Sequence, residues 1–92
     1  MPKILVFGQY VLFFWTAEDG EPVHIHASVR SASELSAKFW LTSDGGCILA
    51  NNRAHIPMKD IRSLSRVISL NHGYICEQWC RRFGKDNVRF YC

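Results

Sequence analysis

Two histidines are the residues of this sequence best suited to chemistry. His24 and His26 lie two positions apart in the segment EPVHIH, residues 21–26. In a β-strand, residues two apart project from the same face, so both imidazoles point to one side while Ile25 points to the other. Imidazole titrates near neutral pH and binds metals, so the pair predicts general acid–base catalysis or ligation of a divalent metal. The alternative is a pair of surface histidines that hydrogen-bond to their neighbours.

A metal site would need further ligands, and the sequence does not identify them. Zinc, nickel and iron sites use three or four protein ligands in most cases. The remaining candidates are His55, His72, Asp19 and Glu21, and no spacing selects one of them. His24 and His26 are therefore candidate metal ligands without a predicted third partner.

The segment AKFWL, residues 37–41, carries side chains that could act with the histidines. The same alternation places Lys38 and Trp40 on one side of a strand. If this strand pairs with the histidine strand as a hairpin, an ammonium, an indole and two imidazoles share one face, which suits a phosphate or a nucleotide base. Lys38 is thus a candidate catalytic residue and Trp40 a candidate binding residue. The alternative is that Trp40 only covers the outer face of a sheet.

The four cysteines are expected to be reduced thiols in a cytoplasmic protein. The apolar stretch after Lys3 is interrupted at Gly8 and is followed by no small-x-small cleavage site, so an export signal is not predicted. Cys76 and Cys80 form a helical column with His72, but the same positions make an apolar stripe, which favours buried small hydrophobes. The sequence contains no phosphate-binding loop, G-x-S-x-G elbow or C-x-x-C motif.

The first half of the chain predicts four or five strands. Its apolar runs are short, rich in β-branched and aromatic residues, and separated by turn residues. The predicted strands are Ile4–Phe7, Tyr10–Thr16, Val23–Val29, Ala37–Leu41 and Cys47–Ala50. Because strands joined by such short turns pair side by side, the sheet is expected to be antiparallel.

The second half of the chain predicts two helices. Met58, Ile61, Leu64 and Ile68 recur every three or four residues after Pro57, which is typical of an amphipathic helix. Asn71-His72-Gly73 then bends or breaks the chain. A second apolar stripe runs from His72 to Phe83, and Gly84 ends it.

Strands followed by helices predict an α+β fold: an antiparallel four- to five-stranded sheet with two C-terminal helices packed on one face. The 92 residues suffice for one domain, expected to span residues 1–84. Residues 85–92 form a tail in which Val88, Phe90 and Tyr91 alternate, so it is expected to be an extra edge strand or a disordered end. A composition of 48% hydrophobic and 21% charged residues excludes a disordered chain and a membrane span, and no membrane association is expected.

The net charge of +3 hides an asymmetry between the two halves of the chain. Residues 1–58 carry a net charge of −1, whereas residues 59–92 carry seven basic and three acidic side chains, a net +4. Lys59, Arg62 and Arg66 lie opposite the apolar stripe of the first predicted helix. This face suits an acidic protein partner or a phosphate backbone, and the alternative is a solvated surface.

The motifs together resemble a family of small bacterial proteins catalogued as domain of unknown function four-one-six-zero. The residues that carry the resemblance are the opening MPKI, the aromatic run Val11–Trp15, EPVHIH, AKFWL, and Trp79 followed by Phe83-Gly84. The family pattern has P-x-H-x-H after an aromatic strand, then A-K-x-W-L, then two helices ending in W-x-x-x-F. The resemblance covers about residues 1–84 and implies the same α+β fold.

The resemblance implies a protein partner rather than a reaction, because the family has no established activity. Its members are often encoded beside another small protein, an arrangement suggestive of toxin–antitoxin-like pairs. Val23 stands where the family's P-P-H form has a second proline, which leaves both histidines in place. The tail past Gly84 extends beyond the usual end, so the resemblance implies no role for it.

Three functions follow as hypotheses. The first is a protein-partner-binding component of a two-gene toxin–antitoxin-like pair, with Lys59, Arg62 and Arg66 also contacting nucleic acid. The second is a metal-binding or ribonuclease-like enzyme centred on His24 and His26, with a divalent metal as the candidate cofactor. The third is a purely structural accessory domain. Homo-oligomerisation is compatible with all three.

Overall fold

A five-stranded antiparallel sheet forms the scaffold of the protein, which is described here from a computed structural model covering residues 3–16 and 20–92. The strands are β1 (Lys3–Phe7), β2 (Tyr10–Phe13), β3 (His24–Val29), β4 (Ala37–Leu41) and β5 (Cys47–Asn52). They lie in the sheet in the order of the sequence, each antiparallel to the next. The predicted sheet is confirmed, with five strands. The second strand ends at Phe13 rather than at Thr16, and of the turn expected to close it at residues 17–20 only Gly20 lies within the described residues.

Two helices follow the sheet, α1 (Met58–Leu70) and α2 (His72–Phe83). Their boundaries confirm the predicted break: the backbone N–H of Asn71 donates to the carbonyls of Val67 and Ile68, and α2 begins at the next residue. The backbone N–H of Gly84, whose φ is 93°, donates to the carbonyl of Cys80 and ends α2. Within the described part of the chain, no helix has the length and apolar character that crossing a membrane requires.

The core lies between one face of the sheet and the helices. Because side chains alternate along a strand, Ile25 and its cross-strand partner Phe39 project to the same side. That side holds one buried apolar cluster. The sheet contributes mainly Leu12, Phe14, Val23, Ile25, Ala27, Phe39 and Leu41, and the helices contribute Ile61, Leu64, Ile68, Ile75 and Trp79. The helices therefore cover mainly the face opposite to the one that carries His26 and Lys38, although Trp79 of α2 also contacts His24.

The C-terminal segment folds back along the end of the sheet. It contains one turn of 3-10 helix at Lys85–Asn87 and is then extended without joining the sheet as a strand, which differs from the predicted edge strand or disordered end. Two backbone hydrogen bonds hold it: the N–H of Val23 donates to Arg89 O (2.7 Å), and that of Ser43 to Cys92 O (2.8 Å). Since Val88 and Phe90 pack against the core, burial of these side chains offers the physical reason for this path. A separate domain at residues 1–84 stays a prediction.

Candidate functional site

The register of β3 and β4 brings the predicted site residues together. His24 lies directly opposite Trp40, and His26 directly opposite Lys38. Cross-strand neighbours of this kind have Cβ atoms about 5 Å apart, so the four side chains share one patch of the sheet. The predicted hairpin and the shared face are both confirmed. The two histidines nevertheless have different surroundings.

His24 lies at a closed end of this face, made by His24, Trp40, Trp79 and Tyr91. Its side chain is fully buried. Its Nδ1 donates a hydrogen bond to the carbonyl of Pro22 (2.8 Å), since a carbonyl oxygen can only accept. The rings of Trp40 and Trp79 pack edge-on against the imidazole, with centroids 5.4 and 5.1 Å away.

The C-terminal segment completes the closed end. The ring of Tyr91 stacks on that of Trp40, with centroids 5.1 Å apart and planes only 4° from parallel. Trp79 packs against Phe14 as well, and its indole N–H donates to the carbonyl of Asn87 (3.0 Å). With this cover, His24 has no surface for a substrate, and what the structure assigns to it is a packing and positioning role.

His26 lines an open cleft of about 470 Å³. The residues around this cleft are Trp15, Glu21, His26, Glu34, Ser36, Lys38, Asn51 and Arg53. The imidazole stacks on the ring of Phe13 and packs edge-on with that of Trp15, with centroids 5.4 and 6.2 Å away. Ser36 Oγ lies 3.4 Å from His26 Nδ1. Packing on one side and a hydroxyl on the other hold the ring at the cleft wall.

The charges of the cleft are arranged around Lys38. Its Nζ lies 2.5 Å from Glu21 Oε1 and 4.2 Å from the centroid of the Trp40 ring. The side chain of Lys38 is 17% exposed and that of Glu21 is 46% exposed, so the ion pair is open to competing ligands. Arg53 is exposed on the same cleft, and its backbone N–H donates to the carbonyl of Ser36 (3.2 Å). Two cations (Lys38 and Arg53), two carboxylates (Glu21 and Glu34) and an imidazole thus line one open cleft.

Five of the residues that line the cleft were not predicted as site residues from the sequence. They are Trp15, Glu34, Ser36, Asn51 and Arg53. The pairing of β4 with β5 places Asn51 opposite Lys38, and a register irregularity follows at Phe39. The irregularity shifts β5 against β4 by one residue, so alternation alone would not have placed this segment correctly. Arg53 reaches the cleft because it lies two residues after Asn51 in the chain.

A metal site lacks a third ligand in the described part of the chain. Residues 3–16 and 20–92 contain no group of three or more His, Cys, Asp or Glu side chains that could hold a metal ion. His72 instead contacts the carbonyl of Thr42 through Nε2 (2.7 Å), and Glu21 pairs with Lys38. Asp19, a candidate in the sequence, lies outside the described residues. Metal ligation by His24 and His26 stays a prediction without geometric support.

The predicted basic face lies on the outer side of α1. Lys59, Arg62 and Arg66 are all exposed, and the helix buries Ile61, Leu64 and Ile68 on its other side. Asp60, the one acidic residue of α1, accepts a hydrogen bond from the Tyr10 hydroxyl (2.5 Å).

Burial makes Cys47 and Cys76 poor candidates for nucleophiles. Cys76 and Cys80 are partly buried, and Cys76 packs against the core. Burial raises the pKa of the Cys76 thiol, and it also raises that of Cys47, so both favour the protonated form. The thiolate is the reactive species, which fits the predicted role of Cys76 as a small core side chain.

Comparison with known proteins places the chain in a family without naming an activity. No curated protein and no solved structure matches the chain. A family model described as "Domain of unknown function (DUF4160)" matches residues 9–80, more than three quarters of the 92 residues. This span is narrower than the residues 1–84 suggested by the motifs, but it contains β2 to β5, α1 and most of α2. The chain therefore belongs to the DUF4160 family.

Proposed function

We propose that this protein is the partner-binding component of a two-gene, toxin–antitoxin-like pair in the cytoplasm, and that the basic face of α1 contacts nucleic acid. The observation that carries the proposal is the exposed stripe of Lys59, Arg62 and Arg66. These residues are spaced three and four positions apart, so they follow one side of the helix over about 10 Å. A stripe of one sign along a helix is the electrostatic footprint of an anionic partner.

The intrinsic energetics of α1 support a binding role for this stripe. Arg62 and Arg66 are like charges at i and i+4, which destabilise a helix by about 0.2–0.5 kcal/mol. Asp60 does not offset them on the outer face, because its carboxylate is engaged by Tyr10 on the sheet. The repulsion between these side chains would be relieved by contact with an acidic surface, which supports a binding role for the stripe.

Co-purification tests the protein partner. A tagged chain, expressed together with the product of the adjacent gene, should retain that protein through a low-salt wash, and K59E/R62E/R66E should lose it. The matched control R81E/R82E/K85E makes the same charge change in the last turn of α2 and the 3-10 turn that follows it, and should retain the partner. Equal retention by both triple variants contradicts a role for α1, and no retention by the wild type contradicts the pair itself.

Salt dependence tests the nucleic-acid contact. Each phosphate contact contributes about −0.7 to −0.9 to the slope of log K against log salt, so three basic side chains predict a slope of about −2 to −3. Fluorescence anisotropy with labelled RNA and DNA oligonucleotides measures this slope for the wild type and for K59E/R62E/R66E. A slope that the substitutions leave unchanged would place nucleic-acid binding elsewhere or exclude it.

A ribonuclease-like activity is the second candidate, and the cleft around His26 favours it. Phosphoryl chemistry needs a proton-transfer group and cations for the developing negative charge, and His26, Lys38 and Arg53 supply these at one cleft. The volume of about 470 Å³ falls within the range of about 300–1,000 Å³ seen for small-ligand sites. This activity would make the chain the toxic member of its pair.

Toxicity on expression tests the second candidate. Inducing the wild-type chain without its neighbour should slow growth, and H26A should restore it. E77Q, on the outer side of α2, is a matched control that should stay as toxic as the wild type. A toxic H26A variant, produced at wild-type levels, would exclude the cleft as the source.

A further inference from the structure

We infer that the cleft cleaves single-stranded RNA by metal-independent transesterification, with Glu21 as the general base, His26 as the general acid, and Lys38 and Arg53 as the cations that hold the phosphate. The inference rests on the ribonuclease-like candidate and assigns its substrate, its products and the role of each residue. It adds Glu21 and Arg53, neither of which was predicted as catalytic or binding. It also removes the need for the divalent metal that the histidine pair suggested.

Lys38 is adjacent to both the proposed base, Glu21, and the proposed acid, His26. Its Cα lies opposite that of His26 in the sheet, and its Nζ lies 2.5 Å from Glu21 Oε1. We place the scissile phosphate at Lys38, which pairs with Glu21 and is the cross-strand neighbour of His26. The same phosphate competes with Glu21 for the Lys38 ammonium, so the carboxylate loses its ion-pair partner when the phosphate binds. Substrate binding thus frees the base.

The reaction balances with the groups at the cleft. Glu21 takes the proton of the ribose 2′-hydroxyl, and the 2′-oxygen forms a bond to phosphorus. The bond from phosphorus to the 5′-oxygen of the next nucleotide breaks, and that oxygen takes a proton from the His26 imidazolium. The products are a 2′,3′-cyclic phosphate and a free 5′-hydroxyl. Lys38 and Arg53 stabilise the extra negative charge on the phosphoryl oxygens.

Further residues at or beside the cleft orient the His26 imidazole and favour unpaired RNA as the substrate. Ser36 Oγ, 3.4 Å from His26 Nδ1, and the stacked ring of Phe13 orient the imidazole. Trp15 is partly exposed at the wall of the cleft, where an unstacked base can lie on its ring. A base inside a duplex cannot do so, which makes a single strand the expected substrate.

Cleavage of a labelled single-stranded RNA oligonucleotide tests the inference. The wild type should cut the RNA equally well with and without EDTA, leave a 2′,3′-cyclic phosphate, and leave the matched DNA strand intact because it has no 2′-hydroxyl. H26A and E21Q should each lower the rate about 100-fold or more. R53A should lower it more than R53K, since a lysine keeps the charge but not the planar fork.

Controls separate catalysis from folding and from contaminating nuclease. E77Q, in the exposed pair with Arg81, should cut at the wild-type rate. H26A purified in parallel sets the background, and thermal unfolding identifies variants that do not fold.

The outcomes distinguish the inference from the function on which it rests. Cleavage that EDTA abolishes, equal cleavage of DNA, or a folded E21Q at the wild-type rate would overturn the inference while leaving a nuclease in place. No cleavage by folded wild type, with or without magnesium, would overturn both. Binding of RNA without cleavage would also overturn the inference and leave only the nucleic-acid contact proposed for α1.

Discussion

His24 and His26 lie on the same strand and the same face of the sheet, and their rings pack edge-on with centroids 5.0 Å apart, yet only His26 borders the cleft. His24 is fully buried at the closed end, with its Nδ1 held by the carbonyl of Pro22. His26 is 7% exposed and lines the cleft beside Lys38 and Ser36. A shared face is therefore not a shared function. The two histidines divide into one that stabilises the fold and one that can reach a ligand.

The difference comes from what covers each end of the face. At the closed end, Trp79 of α2 and Tyr91 of the C-terminal segment pack around His24 and Trp40. At the cleft, partly exposed and exposed side chains of both signs surround an open space. Aromatic cover favours stability, whereas convergent charged groups favour binding or catalysis. Substitutions at the two ends should accordingly affect different properties.

The largest effect is expected from Trp79→Ala. The side chain is fully buried and contacts Phe14, His24 and Phe83, so its removal leaves a large cavity and should lower the free energy of unfolding by about 3–5 kcal/mol. Urea denaturation measures this. Trp15→Ala at the cleft is the matched control and should cost clearly less. Equal losses would mean that the two ends do not differ in packing.

The histidines themselves give the next largest effect. His24→Ala should lower the free energy of unfolding by about 2–3 kcal/mol, because it opens a cavity among aromatic rings and leaves the Pro22 carbonyl without its donor. His26→Ala should cost less, because the ring borders an open cleft and its removal leaves a less enclosed gap than removal of His24. Denaturation of both variants under the same conditions measures the gap. A less stable His26→Ala variant would reverse the assignment of the two roles.

A third test examines Tyr10, a buried side chain on the face of the sheet that the helices cover, for comparison with the cleft face. Tyr10→Phe removes the hydrogen bond to Asp60 and should cost about 1.5 kcal/mol near pH 7. Burial, and secondly this hydrogen bond, raise the pKa of Tyr10 above its ordinary 10.0. The folded state then favours the neutral phenol, so the stability that Tyr10 contributes is complete below pH 10 and is lost as the pH rises through its folded pKa.

Unfolding curves between pH 8 and 11 check this sign. The wild type should lose stability above about pH 10 more steeply than Tyr10→Phe, which has no phenol to ionise. Parallel curves for the two proteins would show that this buried tyrosine does not titrate differently in the folded and unfolded states.

The smallest effect is expected from Tyr91→Ala. Its ring is 58% exposed and stacks on Trp40, so its loss should cost about 0.5–1 kcal/mol. Histidine hydrogen-exchange mass spectrometry should show faster exchange at His24 and no change at His26. Tyr74→Ala, an exposed tyrosine on α2, is the control that should change neither. Unchanged exchange at His24 would show that Tyr91 is not part of the cover.

Much of the fold could be predicted from the sequence because it depends on local periodicity. The alternation in EPVHIH and AKFWL placed His24, His26, Lys38 and Trp40 on one face, and the three- and four-residue spacing from Met58 to Ile68 indicated α1. These are properties of backbone geometry over a few residues. The exposure of Lys59, Arg62 and Arg66 followed from the same spacing.

The candidate site could be predicted only in part, because its remaining residues come from other strands and loops. Arg53 and Ser36 reach the cleft through the pairing of β4 with β5 and through one backbone hydrogen bond between them. The irregularity at Lys38 and Phe39 sets that pairing, and no local pattern marks it. Glu21 was considered only as a metal ligand, whereas its partner is Lys38.

The sequence by itself determined the α+β fold, the common face of the two histidines and the basic side of α1, since each of these follows from short-range spacing. Only the tertiary structure decided which face the helices cover, which histidine is buried and which residues line the cleft. Those features depend on contacts between segments far apart in the chain, such as Trp40 with Tyr91 and His24 with Trp79. Burial is decided by packing between apolar side chains that are far apart in the sequence, and local periodicity does not predict such contacts.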